Sequence, residues 1–108
     1  MDRVDLLQGT LDLLILRTLQ LGPAHGHAIA KAIRQSSEDV FLVEEGSLYP
    51  ALHRMEEARW IKARTTVTEH NRRVRAYEIT AEGRRHLELE QQRWRSITDA
   101  VNYVLKHA

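Results

Sequence analysis

Residues 45–80 read EGSLYPALHRMEEARWIKARTTVTEHNRRVRAYEIT, and a change of hydrophobic period inside this stretch decides the fold. Leu48, Leu52 and Met55 recur at four- and three-residue spacing, which predicts a helix starting near Glu45 or Ser47 and fading near Ala58. Ser47 is a natural N-cap for it, which would place Pro50 in the first turn, where a missing N–H costs nothing. Tyr49, His53 and Arg54 lie off the apolar stripe, on an outer and partly basic face. From Trp60 the period drops to two. Trp60–Thr68 and Val74–Thr80 are alternating runs rich in β-branched residues, separated by the polar Glu69-His70-Asn71-Arg72. Two such runs predict a β-hairpin, and arginines populate both strands and the turn.

Upstream, leucines at three- and four-residue spacing over Leu6–Leu19 predict a helix apolar on more than one face, buried in a core or in a core plus a partner. Gly22-Pro23 ends it. A second, shorter helix is expected over Gly26–Gln35, followed by the polar loop Ser36–Asp39 and an apolar run, Phe41–Val43, that reads as a brief extended strand. Downstream, Thr80 is the expected N-cap of a helix running to about Lys106. Its apolar positions Leu87, Trp94, Ile97, Val101 and Val104 step by 7, 3, 4 and 3, the rhythm of a coiled-coil seam. At roughly 25 residues it would be about 37 Å long, more than one small domain needs to cover itself.

The chain has 108 residues, one domain's length, with 43 % hydrophobic and 29 % charged residues, so it is a globular chain rather than a disordered one. It has no cysteine, which excludes disulfides, thiol nucleophiles and cysteine-ligated zinc. No signal peptide and no apolar run of membrane-spanning length is present, so a cytoplasmic protein is expected. The net charge is only +1, but residues 46–77 carry 7 basic and 3 acidic side chains, against 4 and 7 in residues 1–45 and 5 and 5 in residues 78–108. Arginine outnumbers lysine 13 to 3, and its planar fork suits phosphate and base-edge contacts.

The order helix, helix, helix, hairpin, long helix describes a mainly α fold with a small β-hairpin, a winged helix-turn-helix plus a long C-terminal helix. The third helix of such a fold enters a major groove while the hairpin reaches the neighbouring backbone or minor groove. The chemistry agrees. Gly46 and Ser47 are small at the exposed start of the third helix. Tyr49, His53 and Arg54 are long enough to reach base edges or phosphates. Arg72 and Arg73 put cations at the wing tip. Lys62, Arg64 and Arg75 join the candidate set, strand parity deciding which of them faces a duplex. Double-stranded DNA is the expected partner. The competing reading is a protein-interaction module that uses a basic hairpin and a coiled-coil-like helix.

Leu7-Gln8-Gly9-Thr10-Leu11-Asp12-Leu13-Leu14-Ile15-Leu16, Gly26-His27-Ala28-Ile29, the block Glu45-Gly46-Ser47-Leu48-Tyr49-Pro50-Ala51-Leu52-His53-Arg54-Met55-Glu56, and Tyr77-Glu78-Ile79-Thr80-Ala81-Glu82-Gly83 together resemble the PadR family of bacterial transcriptional regulators. The Gly-Ser-Leu-Tyr-Pro-Ala-Leu block is the most specific piece, and the resemblance runs along nearly the whole chain. It implies a winged helix-turn-helix homodimer, usually a repressor, with the C-terminal helix packing against the partner together with the N-terminal helix. Residues 1–80 would be the DNA-binding domain, its first helix also in the interface, and residues 81–108 the dimerisation helix. Leu7, Leu11, Leu87, Trp94, Ile97, Val101 and Val104 are the expected interface. The resemblance further implies that Tyr49 contacts the DNA backbone and that Ser47, Pro50, His53 and Arg54 lie on the DNA-facing surface. His27 stands where members often carry an aromatic residue.

Trp94 admits two readings: a knob in the dimer seam, or a platform on which two symmetry-related rings sandwich a planar aromatic effector. His25-Gly26-His27 supplies at most half of a zinc site, so no metal or other cofactor is expected. No nucleophile–base–orienter set is recognisable, so the chain is not expected to be an enzyme.

Overall fold

The computed structural model describes residues 8–107, Gln8 by its backbone alone. The elements in chain order are α1 (Gln8–Gln20), β1 (Ala24–His25), α2 (Gly26–Ser36), α3 (Glu45–Glu57), β2 (Ile61–Val67), β3 (Arg73–Ile79) and α4 (Ala81–His107). The strands form one antiparallel sheet in the order β1-β3-β2. This is a winged helix with a long C-terminal helix.

The expected hairpin is present in register Ile61↔Ile79 through Val67↔Arg73. Its tip is closed by local bonds. Thr68 N–H donates to the Arg72 carbonyl (2.9 Å), Asn71 N–H to the Thr68 carbonyl (2.9 Å) and Arg72 N–H to Thr68 Oγ1 (3.2 Å). Asn71 takes the left-handed conformation, φ 57°, which asparagine tolerates better than most residues. Alternate hairpin residues Ile61, Tyr77 and Ile79 enter the core, where they meet Ile15, Leu16 and Leu19 of α1, Ile29 and Ile33 of α2, and Leu48, Leu52 and Met55 of α3.

Three local expectations differ from what is observed. Phe41–Val43 forms no strand; Phe41 and Val43 pack their side chains on the edge of the core instead. The strand that pairs with the free side of β3 is β1, through Ala24↔Tyr77 and His25↔Ala76. The third helix begins at Glu45, with Glu44 as an N-cap that makes no side-chain capping bond. The Glu44 carbonyl accepts from Ser47 and Leu48, so Ser47 lies inside the helix and Pro50 beyond its first turn. Pro50 cannot donate to the Gly46 carbonyl, a group left facing solvent because Gly46 is exposed.

The turn from α3 into β2 is a Schellman closure. Trp60 N–H donates to the Met55 carbonyl and Arg59 N–H to the Glu56 carbonyl, both at 3.0 Å, with Arg59 at φ 64°. Thr80 caps α4 as expected. Its hydroxyl accepts from Gly83 N–H (3.0 Å) and lies 2.6 Å from the Arg59 carbonyl, to which it donates. The Thr80 N–H donates to the Trp60 carbonyl (3.0 Å). These bonds press the start of α4 so closely onto the start of β2 that a Cβ on Gly83 would sit 2.1 Å from the Trp60 carbonyl oxygen. That atom is backbone and cannot swing away. Gly83→Ala is therefore expected to destabilise the protein by about 3 kcal/mol, at the upper end of overpacking costs. Thermal unfolding by circular dichroism would measure it; a melting temperature within about 2 °C of the parent, or about 0.5 kcal/mol, would refute the close approach.

Leu11 and Leu87 were expected at a dimer seam. Both are buried inside this chain's own core, Leu87 because the first turns of α4 lie on α1. Leu7 lies outside the described residues. No helix among the described residues is long and apolar enough to cross a membrane.

Candidate nucleic-acid interface

Helix α3 is gripped on both flanks. Its buried stripe of Leu48, Ala51, Leu52 and Met55 faces the core. On one flank Arg54 reaches α1 and donates to Asp12 Oδ1 at 2.5 Å. On the other, Glu56 accepts two bonds from Arg75 of β3, at 3.0 and 2.9 Å, while the same guanidinium lies 5.9 Å from the Tyr77 ring centroid. What remains facing outward is Gly46, Ser47, Tyr49, Pro50 and His53, all exposed. His53 Nε2 is 2.7 Å from Glu57 Oε1, one turn further along.

The ten candidate DNA-binding residues therefore divide. Arg54 is partly exposed, and its guanidinium is engaged in an ion pair with Asp12 of α1. Arg75 is likewise engaged, with Glu56. Strand alternation and the register with β3 put Arg73 and Arg75 on the sheet face that carries Tyr77 and Ile79, the face on which α3 packs. Lys62 and Arg64 fall on the opposite face. There Lys62 lies 3.8 Å from Glu78. Arg64, Arg72 and Arg73 make no ion pair among the described residues. The structure thus groups Ser47, Tyr49, Pro50 and His53 on the helix, and Arg72 and Arg73 at the tip of the hairpin beside it.

Tyr49 has a partner that the spacing of residues did not reveal. Its ring lies over Gly26, the first residue of α2, and a Cβ there would meet Tyr49 Cε1 and Oη at 2.9 Å. The hydroxyl is thereby held beside the positive end of α2, where backbone N–H groups favour an anion. His25 is drawn into the same corner as a cap, its Nδ1 accepting from Ala28 N–H at 3.3 Å. Gly26→Ala is expected to push the Tyr49 ring aside while leaving the melting temperature nearly unchanged, because the obstructing atoms belong to the end of a mobile side chain. If Tyr49 bonds a phosphate, affinity should fall about tenfold per half-site, the value of one hydrogen bond to a charged group. A mobility-shift titration equal to that of the parent protein would break the link between Gly26 and the tyrosine.

Asp12 is the residue that sequence reasoning missed. It is the one charged side chain buried among the described residues, 8 % exposed. Burial raises its carboxyl above the ordinary carboxylate range, against the pull of the Arg54 guanidinium. A hint lay in its place in the sequence, a carboxylate in the middle of a leucine-rich helix.

Among the described residues no three metal-ligating side chains come together. An open groove of about 330 Å³ lies between α1 and α4, lined by Gly9, Thr10, Leu13, Glu90, Arg93, Trp94 and Ile97.

Comparison with known proteins gives a consistent result. Residues 15–89 match the transcriptional regulator PadR-like family. A PadR family transcription regulator from hypervirulent Clostridium difficile is 35 % identical, with a TM-score of 0.77, over 88 % of this chain and 97 % of that one. A transcriptional regulator from Clostridium thermocellum is 29 % identical, with a TM-score of 0.81, over 89 % and 93 %. A PadR-like transcriptional regulator from Bacillus cereus is 26 % identical, with a TM-score of 0.80, over 94 % and 96 %.

Proposed function

This chain belongs to the PadR-like family of transcriptional regulators, DNA-binding proteins and not enzymes, and we propose on that premise that it is a cytoplasmic, homodimeric repressor acting on a pseudo-palindromic operator. The observation that carries the reading is the exposed α3 face of Ser47, Tyr49, Pro50 and His53 together with Arg72 and Arg73 of the wing, which make no ion pair among the described residues. One set suits base edges in a major groove; the other suits the phosphates alongside it. Residues 1–80 form the DNA-binding unit and residues 81–108 the dimerisation helix, whose first turns also close the core through Gly83 and Leu87.

Dimerisation is supported by α4. Trp94, Ile97, Val101 and Val104 are 45–58 % exposed and continue the face that buries Leu87. A contiguous apolar stripe of this kind is seldom left to water. In a two-fold dimer the two α3 helices would address two half-sites about one helical turn of DNA apart.

The test is a mobility-shift titration on the DNA upstream of the protein's own gene, with excess unrelated duplex, at two salt concentrations. A salt-sensitive shift that survives the competitor is expected. A shift removed by competitor would leave only a basic surface, and no shift at micromolar dimer would favour the protein-interaction reading.

An aromatic effector is part of the proposal, seated against Trp94 in the α1–α4 groove. Titrating planar aromatic compounds is expected to quench the Trp94 fluorescence and to release DNA, with both effects absent in Trp94→Phe. A broad panel that produces no Trp94-dependent change would remove the effector from the proposal.

A further inference from the structure

We infer that Asp12 and Arg54 form a positioning device that fixes the angle of the recognition helix on α1, and thereby the spacing of the two half-sites that the dimer accepts. The inference rests on the DNA-binding reading above. It concerns residues that touch no DNA.

Three observations carry it. First, the pair joins positions 42 residues apart, on α1 and α3, and it is charged where the neighbouring contacts are apolar. A buried ion pair is poor evidence for stability, since apolar residues of similar size commonly serve as well or better. What it adds over a leucine–methionine contact is direction: a short charge-assisted bond is satisfied in one orientation, whereas apolar surfaces slide. Second, α3 has a grip on each flank, and the other, Arg75 with Glu56, is with the hairpin. The Asp12 contact is the charged one that ties α3 to the helical layer. Third, α1, which carries Asp12, is itself packed on α4, with Leu87 in the shared core. Glu90 pairs with Arg93 at 3.1 Å, and both line the groove beside Trp94. The orientation of α3 is therefore referred to the helices that would carry the two-fold axis. A roll of α3 on α1 would occur in both protomers with opposite sense, changing the separation of the two reading heads.

The experiment uses the full chain with Asp12→Leu/Arg54→Met, which keeps the buried volume and removes the directional bond. Duplexes carrying the mapped half-sites at the native separation, and with one or two base pairs added or removed, are titrated in parallel. Wild type is expected to prefer one separation by about tenfold or more. The double variant is expected to spread its preference to within about threefold, with unchanged salt dependence and unchanged binding to random DNA. These fold-changes correspond to the loss of roughly half a decade of discrimination.

A second readout needs neither DNA nor dimer. The chain has no cysteine, so nitroxides on His53→Cys and Glu88→Cys, diluted into unlabelled chain, report the α3–α4 distance within one protomer. A narrow distribution that broadens in the double variant supports the inference. If the double variant fails to fold, Arg54→Lys, which keeps the charge but not the fork, is expected to broaden the distribution partway. An unchanged distribution together with an unchanged spacing preference overturns the device. So does an Arg54→Met variant that loses a unit of salt slope while keeping its spacing preference, because Arg54 would then be a phosphate contact. Should wild type bind no DNA specifically, the DNA-binding reading fails, and the label distances alone decide whether Asp12 orients α3.

Discussion

Ile97→Asp/Val101→Asp is expected to convert the protein to a monomer and to lower its affinity for a two-half-site operator by a factor of about 10³. Both side chains are half-exposed on α4, on the stripe that runs from Trp94 to Val104. In a two-fold dimer each substitution enters the interface twice, so four carboxylates would be added to a seam of apolar side chains. Burying an unpaired charge costs several kcal/mol, more than a modest interface can offset. The loss of DNA affinity follows from geometry alone: with two heads joined, the second binds at an effective concentration near millimolar, and avidity exceeds single-site affinity by about 10²–10⁴. The intramolecular core does not include either side chain, so helical circular dichroism should persist. Sedimentation velocity at tens of micromolar would read the mass directly. A variant that remains a dimer would mean that the two copies meet through a surface other than this stripe, and the assignment of the seam to α4 would be withdrawn.

The seam also shows where sequence reading stops. Leu87, Trp94, Ile97, Val101 and Val104 share one heptad rhythm, and periodicity records which residues share a face without recording what covers it. The helix changes partner along its length, from its own α1 at Leu87 to open surface from Trp94 onward. The hairpin was legible because its register follows from alternation and a polar turn, and Thr80 because a cap is a local event. β1 was not: two residues have no period, and Ala24-His25 is a strand only because β3 offers an unpaired edge. Phe41–Val43 has a more strand-like sequence but no such edge within reach. The ion pair of Arg54 was not legible for the same reason that Asp12 was overlooked. The helical wheel places Arg54 off the apolar stripe, but the carboxylate that captures it lies 42 residues away, and nothing local marks the pair. The candidate residues found exposed on α3, Ser47, Tyr49, Pro50 and His53, are those whose position depends on the helix alone.

Arg72→Ala/Arg73→Ala is expected to weaken binding to every DNA sequence by a similar factor, and to flatten its dependence on salt. Each phosphate that a cation neutralises contributes about 0.9 to the slope of log affinity against log salt, so four arginines in a dimer account for up to about 3.6. At physiological salt that corresponds to roughly a hundredfold to thousandfold loss. The turn that presents them is built from Thr68, Asn71 and backbone groups, and neither guanidinium is engaged in an ion pair among the described residues, so the hairpin should survive their removal. Two comparators make the result specific. Arg64→Ala, on the sheet face opposite α3, should change the slope little. His53→Ala should alter which operator bases are preferred while leaving the slope nearly as it was, because base-edge contacts discriminate and phosphate contacts do not. Parallel titrations of operator and random duplex from about 50 to about 200 mM salt, where counterion effects are steep, separate these outcomes. If the double arginine variant keeps the parent slope, the wing does not touch the backbone. The affinity would then have to come from α3, whose outward face holds no arginine or lysine now that Arg54 is tied to Asp12. A helix face with so little positive charge could not support strong salt-dependent binding, so an unchanged slope would count against the wing and against the docking geometry together.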